Sequence, residues 1–304
     1  FLFGPALEVH SMTASGWPFP AFGYEDQENP WQKLAQHIKN ATNSNVHITI
    51  NYYEIVIYYK QEVINMNQLK GIHHVTAITS SAEKIYEFYT YVLGLRLVKK
   101  NVNQDDISTY HLFFADDRGN PGTDMTFFDF KNIPQHVHGT NDISRTSFRV
   151  KDDKALEYWL KRFSHYDVKH SEIKTLFNKK FIYFEDFDQQ QYSLVSDENN
   201  IGIKSGEPWK LGPVPNEFAI TGLGPSFIKV NNIKQMDLVL REVMLMSKID
   251  EHQQYHLYEM GQGGNGAELI IEEDNIGIWA QQGYGGVHHI AFRIEDLEEL
   301  YAWE

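Results

Sequence analysis

Apolar and polar residues alternate in short runs along most of the chain after position 70, and the first group of runs sets the pattern. It opens with a strand-like run near 71, continues through a stretch with helical spacing, and ends with strand-like runs at 95–102, 110–115 and 125–130. Period-two alternation is typical of a strand, and apolar residues three and four positions apart are typical of a buried helix face. The order predicts a βαβββ unit. Its helical apolar positions are Ile85, Phe88, Tyr89 and Val92.

Residues that begin and end helices support this reading. Ser80 and Glu83 have the spacing of a capping box at the start of the first helix. Gly94 follows the last apolar position of that helix, as a C-terminal glycine does. Asp153 is expected to cap the helix of the next unit.

The same plan recurs along the chain, with units that start near residues 71, 146, 226 and 287. We therefore expect an α+β fold built from four βαβββ units. Because the chain stops at Glu304, inside the helix of the fourth unit, we expect that unit to be truncated and to lack its last three strands.

Glycine and proline are concentrated between the second and third units. This stretch, 204–217, is expected to be a linker. It divides the repeats into a first domain at 66–203 and a second domain at 218–304, which is truncated at its C-terminal end.

Residues 1–65 lack the pattern of the repeats, and we expect them to lie outside the fold. The first 40 or so resemble the tail of another polypeptide, and the rest is rich in Asn, Ile and Tyr without clear periodicity. The segment 61–63 can be encoded by a nucleotide sequence similar to a bacterial ribosome-binding site. The hypothesis is that Met66 is the natural start and that 1–65 is read through in frame; a poorly ordered extension is the alternative.

A deletion tests this hypothesis. If residues 1–65 add little to the fold, removing them should leave the thermal unfolding midpoint of the remainder nearly unchanged. A large decrease in that midpoint would show that the segment packs on the repeats.

Two matched strand-like stretches each carry a pair of histidines, His73-His74 and His288-His289. In both strands the first histidine shares a face with apolar residues, so the second points to the opposite face. A single strand histidine is usually only a satisfied polar residue, but two matched pairs are typical of imidazoles brought to one metal ion. The pattern predicts His74 and His289 as metal ligands, with His73 and His288 packed or hydrogen-bonded behind them.

Composition narrows the classes of function. The chain has 304 residues, of which 42% are hydrophobic and 22% charged, as in a globular protein. Its net charge of -14 argues against nucleic acid or an anionic membrane surface as a partner. It has no cysteine, so thiolate metal sites are excluded, and no apolar run approaches the ~20 residues that span a bilayer. A cytoplasmic protein is the default expectation.

With these features together, the chain resembles the vicinal oxygen chelate superfamily, which includes glyoxalases and extradiol dioxygenases. More narrowly, it is similar to the dioxygenases that open the rings of hydroquinones and related quinols. The resemblance begins near Met66 and extends to the end of the chain. The stretches that carry it are 71–76, 92–100, 109–114, 119–123 and 287–292.

The resemblance implies Fe(II), or another divalent metal, held by two histidines and one glutamate. The histidines correspond to His74 and His289, and the first and fourth units cooperate around the metal. The glutamate lies on the last strand of the fourth unit, which is expected beyond residue 304. At the corresponding strand the first unit has Phe127 and the second has Ser193.

The implied partners are a small aromatic substrate and O2, and a homo-oligomer is compatible with the family. A neighbouring histidine could act as acid or base, and His73, His288 and His111 are the candidates. Tyr110 and Arg293 are weaker candidates for the pocket. We expect the chain as given to bind iron weakly, to cleave no ring and to aggregate.

Two other functions fit the same resemblance. One is a glyoxalase-type metal isomerase or lyase that acts on a thiol adduct. The other is a non-enzymatic protein of the same fold that binds an aromatic compound. Oxygen consumption with a quinol, loss of a hemithioacetal, and the metal content of the protein distinguish the three.

Overall fold

The computed structural model describes residues 6–10, 47–51, 54–58, 68–103, 107–275 and 277–303. Compact units are formed by 1–16 with 68–295, and by 17–67 with 296–304. Every repeat strand described below belongs to the first of these units. The proposed start at Met66 and the segment 61–63 fall outside the described residues.

The expected βαβββ plan is present in each of the first three units, and the fourth provides a strand and a helix. Unit one comprises β4 (Ile72–Ile78), α1 (Ala82–Glu87), β5 (Arg96–Val102), β6 (Tyr110–Ala115) and β7 (Asp124–Phe128). Unit two comprises β8 (Asp142–Val150), α2 (Asp153–His165), β9 (Lys174–Leu176), β10 (Lys179–Glu185) and β11 (Gln191–Ser196). Unit three comprises β12 (Ile220–Val230), α3 (Ile233–Leu238), β13 (Ser247–His252), β14 (Tyr255–Glu259) and β15 (Glu268–Glu273). Unit four comprises β16 (Gly286–Arg293) and α4 (Leu297–Trp303).

Preceding these units are the strands β1 (Ala6–His10), β2 (His47–Asn51) and β3 (Glu54–Tyr58). β2 and β3 form an antiparallel pair. Within the described residues, no helix is long and apolar enough to cross a membrane.

The described strands of units one and four build one six-stranded sheet in the order β1-β16-β4-β7-β6-β5. β16 pairs antiparallel with β4, and β4 pairs parallel with β7. The other edge of β16 pairs antiparallel with β1. The domain boundaries, including the exclusion of 1–65, stay predictions.

Units two and three build an eight-stranded sheet in the order β13-β14-β15-β12-β8-β11-β10-β9 among the described strands. β8 and β12 pair antiparallel at its centre, and each also pairs parallel with the last strand of its own unit. The sheets therefore combine the outer two units and the inner two units, and both combinations cross the linker at 204–217.

Aromatic side chains join the first two units on the face opposite the histidines. The Tyr89 ring is fully buried and lies 4.9 Å from the ring centroids of both Phe114 and Phe127. It also lies 6.1 Å from the Phe148 ring, which belongs to unit two. Tyr89 is one of the apolar positions at helical spacing in the sequence, and these contacts account for its burial.

Both expected helix caps are displaced by one residue. Ser81, not Ser80, accepts a hydrogen bond from the Lys84 backbone N–H at the start of α1. Asp152, not Asp153, accepts a hydrogen bond from the Ala155 backbone N–H at the start of α2. In each case two adjacent residues have cap chemistry, and the one with extended backbone takes the role.

The turn between β10 and β11 holds the end of β4 through one buried carboxylate. Asp188 Oδ2 accepts hydrogen bonds from the Thr79 hydroxyl and the Ser80 backbone N–H, both at 2.8 Å. Its Oδ1 accepts from the Ser80 hydroxyl at 2.5 Å. At Gly285 an added Cβ would come within 2.2 Å of the Asp188 carbonyl oxygen, so the approach to β16 also fits against this turn. Units one, two and four therefore meet at Asp188.

A second buried carboxylate fastens the linker to unit one. Asp116 Oδ1 accepts from the backbone N–H groups of Arg118, Gly119 and Asn120, and its Oδ2 accepts from the Glu207 N–H at 2.8 Å. Burial alone would raise the pKa of the Asp116 carboxyl, but the hydrogen bonds from Asn120 and Glu207 bring it below its ordinary value. The ionised form is therefore the one that stabilises this junction.

The depressed pKa gives a test in acid. The stabilisation by Asp116 is fully present above its unfolded-state pKa of about 4 and is lost as pH falls through the lower folded-state pKa. We expect Asp116→Asn to lower the free energy of unfolding by about 2–3 kcal/mol at pH 7, and this deficit to shrink below about pH 4. Thermal unfolding at a series of pH values measures it. Asp117→Asn is the control, since its side chain makes only longer contacts with Lys210; an equal deficit in both variants would contradict the assignment.

Candidate metal centre on the six-stranded sheet

The pairing of β4 with β16 places one histidine from each strand on the same face. His289 pairs with Thr76, and Ala291 pairs with His74, so the two histidines lie diagonally across the ladder. The residue that follows His289 is apolar and belongs to the core: Ile290 is almost completely buried. The face assignment made from alternation places both imidazoles on one side, and the structure does the same.

The two side chains converge at their outer nitrogens. His74 Nε2 lies 3.2 Å from His289 Nε2. Two nitrogens that bind one metal ion at about 2.1 Å are about 3 Å apart when they occupy neighbouring positions, so the spacing fits a shared ion. Burial, together with the neighbouring imidazoles of His73 and His111, lowers the pKa of His74 to about 3. At neutral pH this ring is therefore uncharged, with one nitrogen protonated and a lone pair on the other.

The ring of each of these histidines lies against the ring of the histidine that precedes it, beside a register shift in the pairing of β4 with β16. His73 Nδ1 lies 2.9 Å from His74 Nδ1, and His288 Nδ1 lies 2.8 Å from His289 Nδ1. A ring whose Nδ1 donates a hydrogen bond keeps its Nε2 free to bind a metal. His73 and His288 are thus within hydrogen-bond distance of the two predicted ligands, and their expected roles stay predictions.

The pairing of β7 with β4 shows which residues of β7 share the face of the two histidines. Phe127, compared earlier with the missing glutamate position, is buried on the opposite face, against Tyr89. The residues of β7 that share the face of His74 are Asp124, Thr126 and Phe128, and Asp124 pairs with His74. Among the described residues, no carboxylate joins His74 and His289 in a group of three ligand atoms within 4.8 Å.

Asp124 was missed in the sequence, although its place in the β7 alternation could have identified it. Its side chain is fully buried, and burial raises the pKa of the carboxyl well above its ordinary value. Lys99 acts in the opposite direction with a smaller effect. The protonated form of the Asp124 carboxyl is therefore favoured, and this residue lies on the same face of the sheet as His74.

His111 lies on the same face and closes one side of the site. Its Nε2 is 3.0 Å from the Thr126 hydroxyl, which is 2.8 Å from the Thr76 hydroxyl. Its ring lies 4.0 Å from the Phe113 ring and 4.2 Å from the Phe128 ring, centroid to centroid. The result is an aromatic wall with one hydrogen-bonding nitrogen.

The two weaker candidates do not join this site. Tyr110 is exposed, and its ring lies under the Lys100 ammonium. The guanidinium of Arg293 donates to the Lys70 carbonyl oxygen at 2.9 Å. Both are accounted for by surface and strand-end contacts.

The equivalent face of the eight-stranded sheet is filled. Arg145 lies over the rings of Tyr183 and Phe227, at 4.5 and 5.3 Å, and donates to Gln191. Ser193, the other residue compared with the missing glutamate position, pairs its hydroxyl with another serine of the sheet. Units two and three therefore share the fold, but this face of their sheet is occupied by Arg145 and its aromatic neighbours instead of paired histidines.

Comparison with known proteins places this chain in a superfamily of glyoxalases and dioxygenases. Residues 71–192 match the Glyoxalase/Bleomycin resistance protein/Dioxygenase superfamily. MhqA of Bacillus subtilis (strain 168), whose name describes a candidate ring-cleaving dioxygenase, is 39% identical over 241 residues, which are 78% of this chain and 76% of that protein. Chlorohydroquinone/hydroquinone 1,2-dioxygenase of Sphingobium indicum is 30% identical over 236 residues, 76% of this chain and 72% of that one.

A solved structure supports the same relationship. The crystal structure of a candidate dioxygenase from Bacillus subtilis superposes with a TM-score of 0.70 at 32% sequence identity. The superposition covers 78% of this chain and 74% of the other.

The electrostatics of His111 can be tested directly. Burial lowers the pKa of His111 to about 4, with further lowering by Lys99 and His288. We expect Lys99→Gln to raise the pKa of His111, because a nearby positive charge is removed. NMR titration of the metal-free protein measures the change. Lys100→Gln is the matched control because that ammonium lies over Tyr110; an equal shift in both variants would contradict the local effect of Lys99.

Proposed function

Because the chain belongs to the Glyoxalase/Bleomycin resistance protein/Dioxygenase superfamily, we propose that it carries the site of an Fe(II)-dependent dioxygenase for hydroquinone- or catechol-type aromatics. The observation that carries the proposal is the 3.2 Å approach of His74 Nε2 to His289 Nε2. The names of the relatives, which refer to ring cleavage and to hydroquinone, supply the substrate class.

His74 and His289 would hold the metal through their Nε2 atoms. Their Nδ1 atoms, each within hydrogen-bond distance of the preceding histidine, would fix the ring orientation and favour the correct tautomer. Non-haem iron supplies the one-electron and O2 chemistry that an aromatic ring needs to be opened. The absence of cysteine in the sequence is consistent with a site made of imidazole and carboxylate.

The other residues on this face would bind the aromatic substrate. The rings of Phe113 and Phe128 lie 4.0 and 4.2 Å from the His111 ring, centroid to centroid, and the three would form a wall for a flat apolar molecule. His111 is neutral at pH 7 because its pKa is about 4, so its Nε2 can exchange its hydrogen bond to Thr126 for one to a substrate hydroxyl. This low pKa favours a role in orientation over a role as a store of protons.

A carboxylate is the remaining requirement. Two neutral imidazoles do not compensate the charge of Fe(II), and carboxylates are the usual anionic partner in this type of centre. Since no carboxylate in the described part of the chain lies with the two histidines, we expect Fe(II) to bind more weakly than at a complete three-residue site.

Anaerobic titration with Fe(II) tests the ligand assignment. We expect His74→Ala and His289→Ala each to weaken binding by more than about tenfold, because each removes a direct ligand. His73→Ala should retain the metal ligands and cause a smaller loss, through the orientation of His74. His165→Ala is the control, since it removes an exposed histidine at the end of α2. Unchanged Fe(II) binding in both ligand variants would rule out this site.

The substrate class is tested in the same anaerobic protein. Methylhydroquinone is expected to bind when Fe(II) is present and to lose this binding in His74→Ala. Binding that needs no iron would instead indicate a non-enzymatic binding protein. After O2 is admitted, oxygen uptake with ring opening would identify the dioxygenase, whereas loss of an added hemithioacetal would identify the isomerase.

A further inference from the structure

We propose that His136, His138 and Asp142 form a second metal site, suited to Zn²⁺ and separate from the His74–His289 pair. Within the part of the chain that the structure describes, these three residues are the group whose ligand atoms all lie within 4.8 Å of one another. They come from the segment between β7 and β8 and from the first residue of β8.

The geometry of the cluster fits metal ligands. His136 Nε2 is 2.9 Å from Asp142 Oδ2, a normal separation for two atoms that share one ion. Both side chains are almost completely buried, and the His138 ring lies 4.8 Å from the His136 ring. His138 is partly exposed, and this exposure leaves a path from solvent to the cluster. Its Nε2 lies 3.1 Å from the Gln189 carbonyl oxygen.

The cluster also contains more hydrogen-bonding capacity than the described residues use. Asp142 Oδ1 is buried and lacks a hydrogen-bond partner in the described part of the chain. Buried polar atoms are normally satisfied, so such an atom calls for an explanation such as an ion. A simple His–Asp ion pair uses only the other oxygen of this carboxylate, and it leaves Oδ1 and the neighbouring His138 unexplained.

The types of side chain in the cluster indicate which metal it would bind. Two imidazoles and one carboxylate suit Zn²⁺, and with three protein ligands a position is left for water.

The location gives the site a structural role. Residues around His136 pair with the segment that leads into β16: Gln135 bridges Tyr284, and the His136 N–H donates to the Tyr284 carbonyl oxygen at 2.9 Å. A Cβ added at Gly286 would lie 2.4 Å from His136 Nδ1, so this imidazole packs directly on the first residue of β16. A bound ion would therefore fasten the loop before β8 beside the start of the strand that carries His289.

The experiment removes the first site and counts metal at the second. In a His74→Ala/His289→Ala protein, we expect Zn²⁺ titration by calorimetry to give about one ion per chain, and Co²⁺ to give a visible absorption band. Adding His138→Ala should weaken Zn²⁺ binding by more than tenfold, while adding His165→Ala should not. Asp142→Asn, which keeps the shape of the side chain, should also weaken it.

Absence of saturable Zn²⁺ binding in the double variant, or binding that is indifferent to His138→Ala and Asp142→Asn, would overturn the proposal. If the double variant fails to fold, the test is made in the otherwise unchanged protein, where His138→Ala should remove one Zn²⁺ per chain. His138 lies at the surface, so this substitution is expected to leave the fold intact. Failure of the Fe(II) proposal would be distinguished from failure of the Zn²⁺ proposal. In that case Zn²⁺ binding would be equal in the unchanged protein and in the double variant.

Discussion

The site depends on the register between β4 and β16. These strands come from the two ends of the repeat region, and their antiparallel pairing places His74 one ladder step from His289. Side chains alternate with period two, so a slip of one residue would turn one imidazole to the aromatic core. The apolar residues of β16 favour this register, since Ile290 and Phe292 alternate with His289 along the strand and are both buried. The geometry of the two nitrogens thus depends on this register.

Local patterns in the sequence were enough to predict the repeat plan. Alternation also selected His74 and His289, whose Nε2 atoms lie 3.2 Å apart in the structure. It could not show that the pairing of β4 with β16 shifts register beside them, at His73 and His288. The cap residues were displaced by one because Ser80 and Ser81 both have the right chemistry and only the backbone conformation distinguishes them. The short strand β9 and the edge strand β13 gave no clear signal, as β13 is exposed along its whole length.

Features that depend on distant contacts could not be predicted in this way. Nothing local to Asp188 shows that it will bind Thr79 and Ser80, which are more than one hundred positions away. The approach of His136 to Gly286 likewise exists only after the loop before β8 has paired with the segment before β16. Asp124 is the intermediate case, because its face follows from alternation but its burial follows from the surrounding sheet.

The carboxylate of Asp188 has a consequence for how such a chain can evolve. Repeats that arise by duplication begin as interchangeable copies, yet here a turn of the second copy satisfies the end of the strand that carries His74 in the first. The fourth copy enters its strand against the same turn at Gly285. Once one copy has come to complete another, neither can be exchanged, lost or recombined alone. Inner repeats without an open histidine face are then retained because the outer pair requires their support.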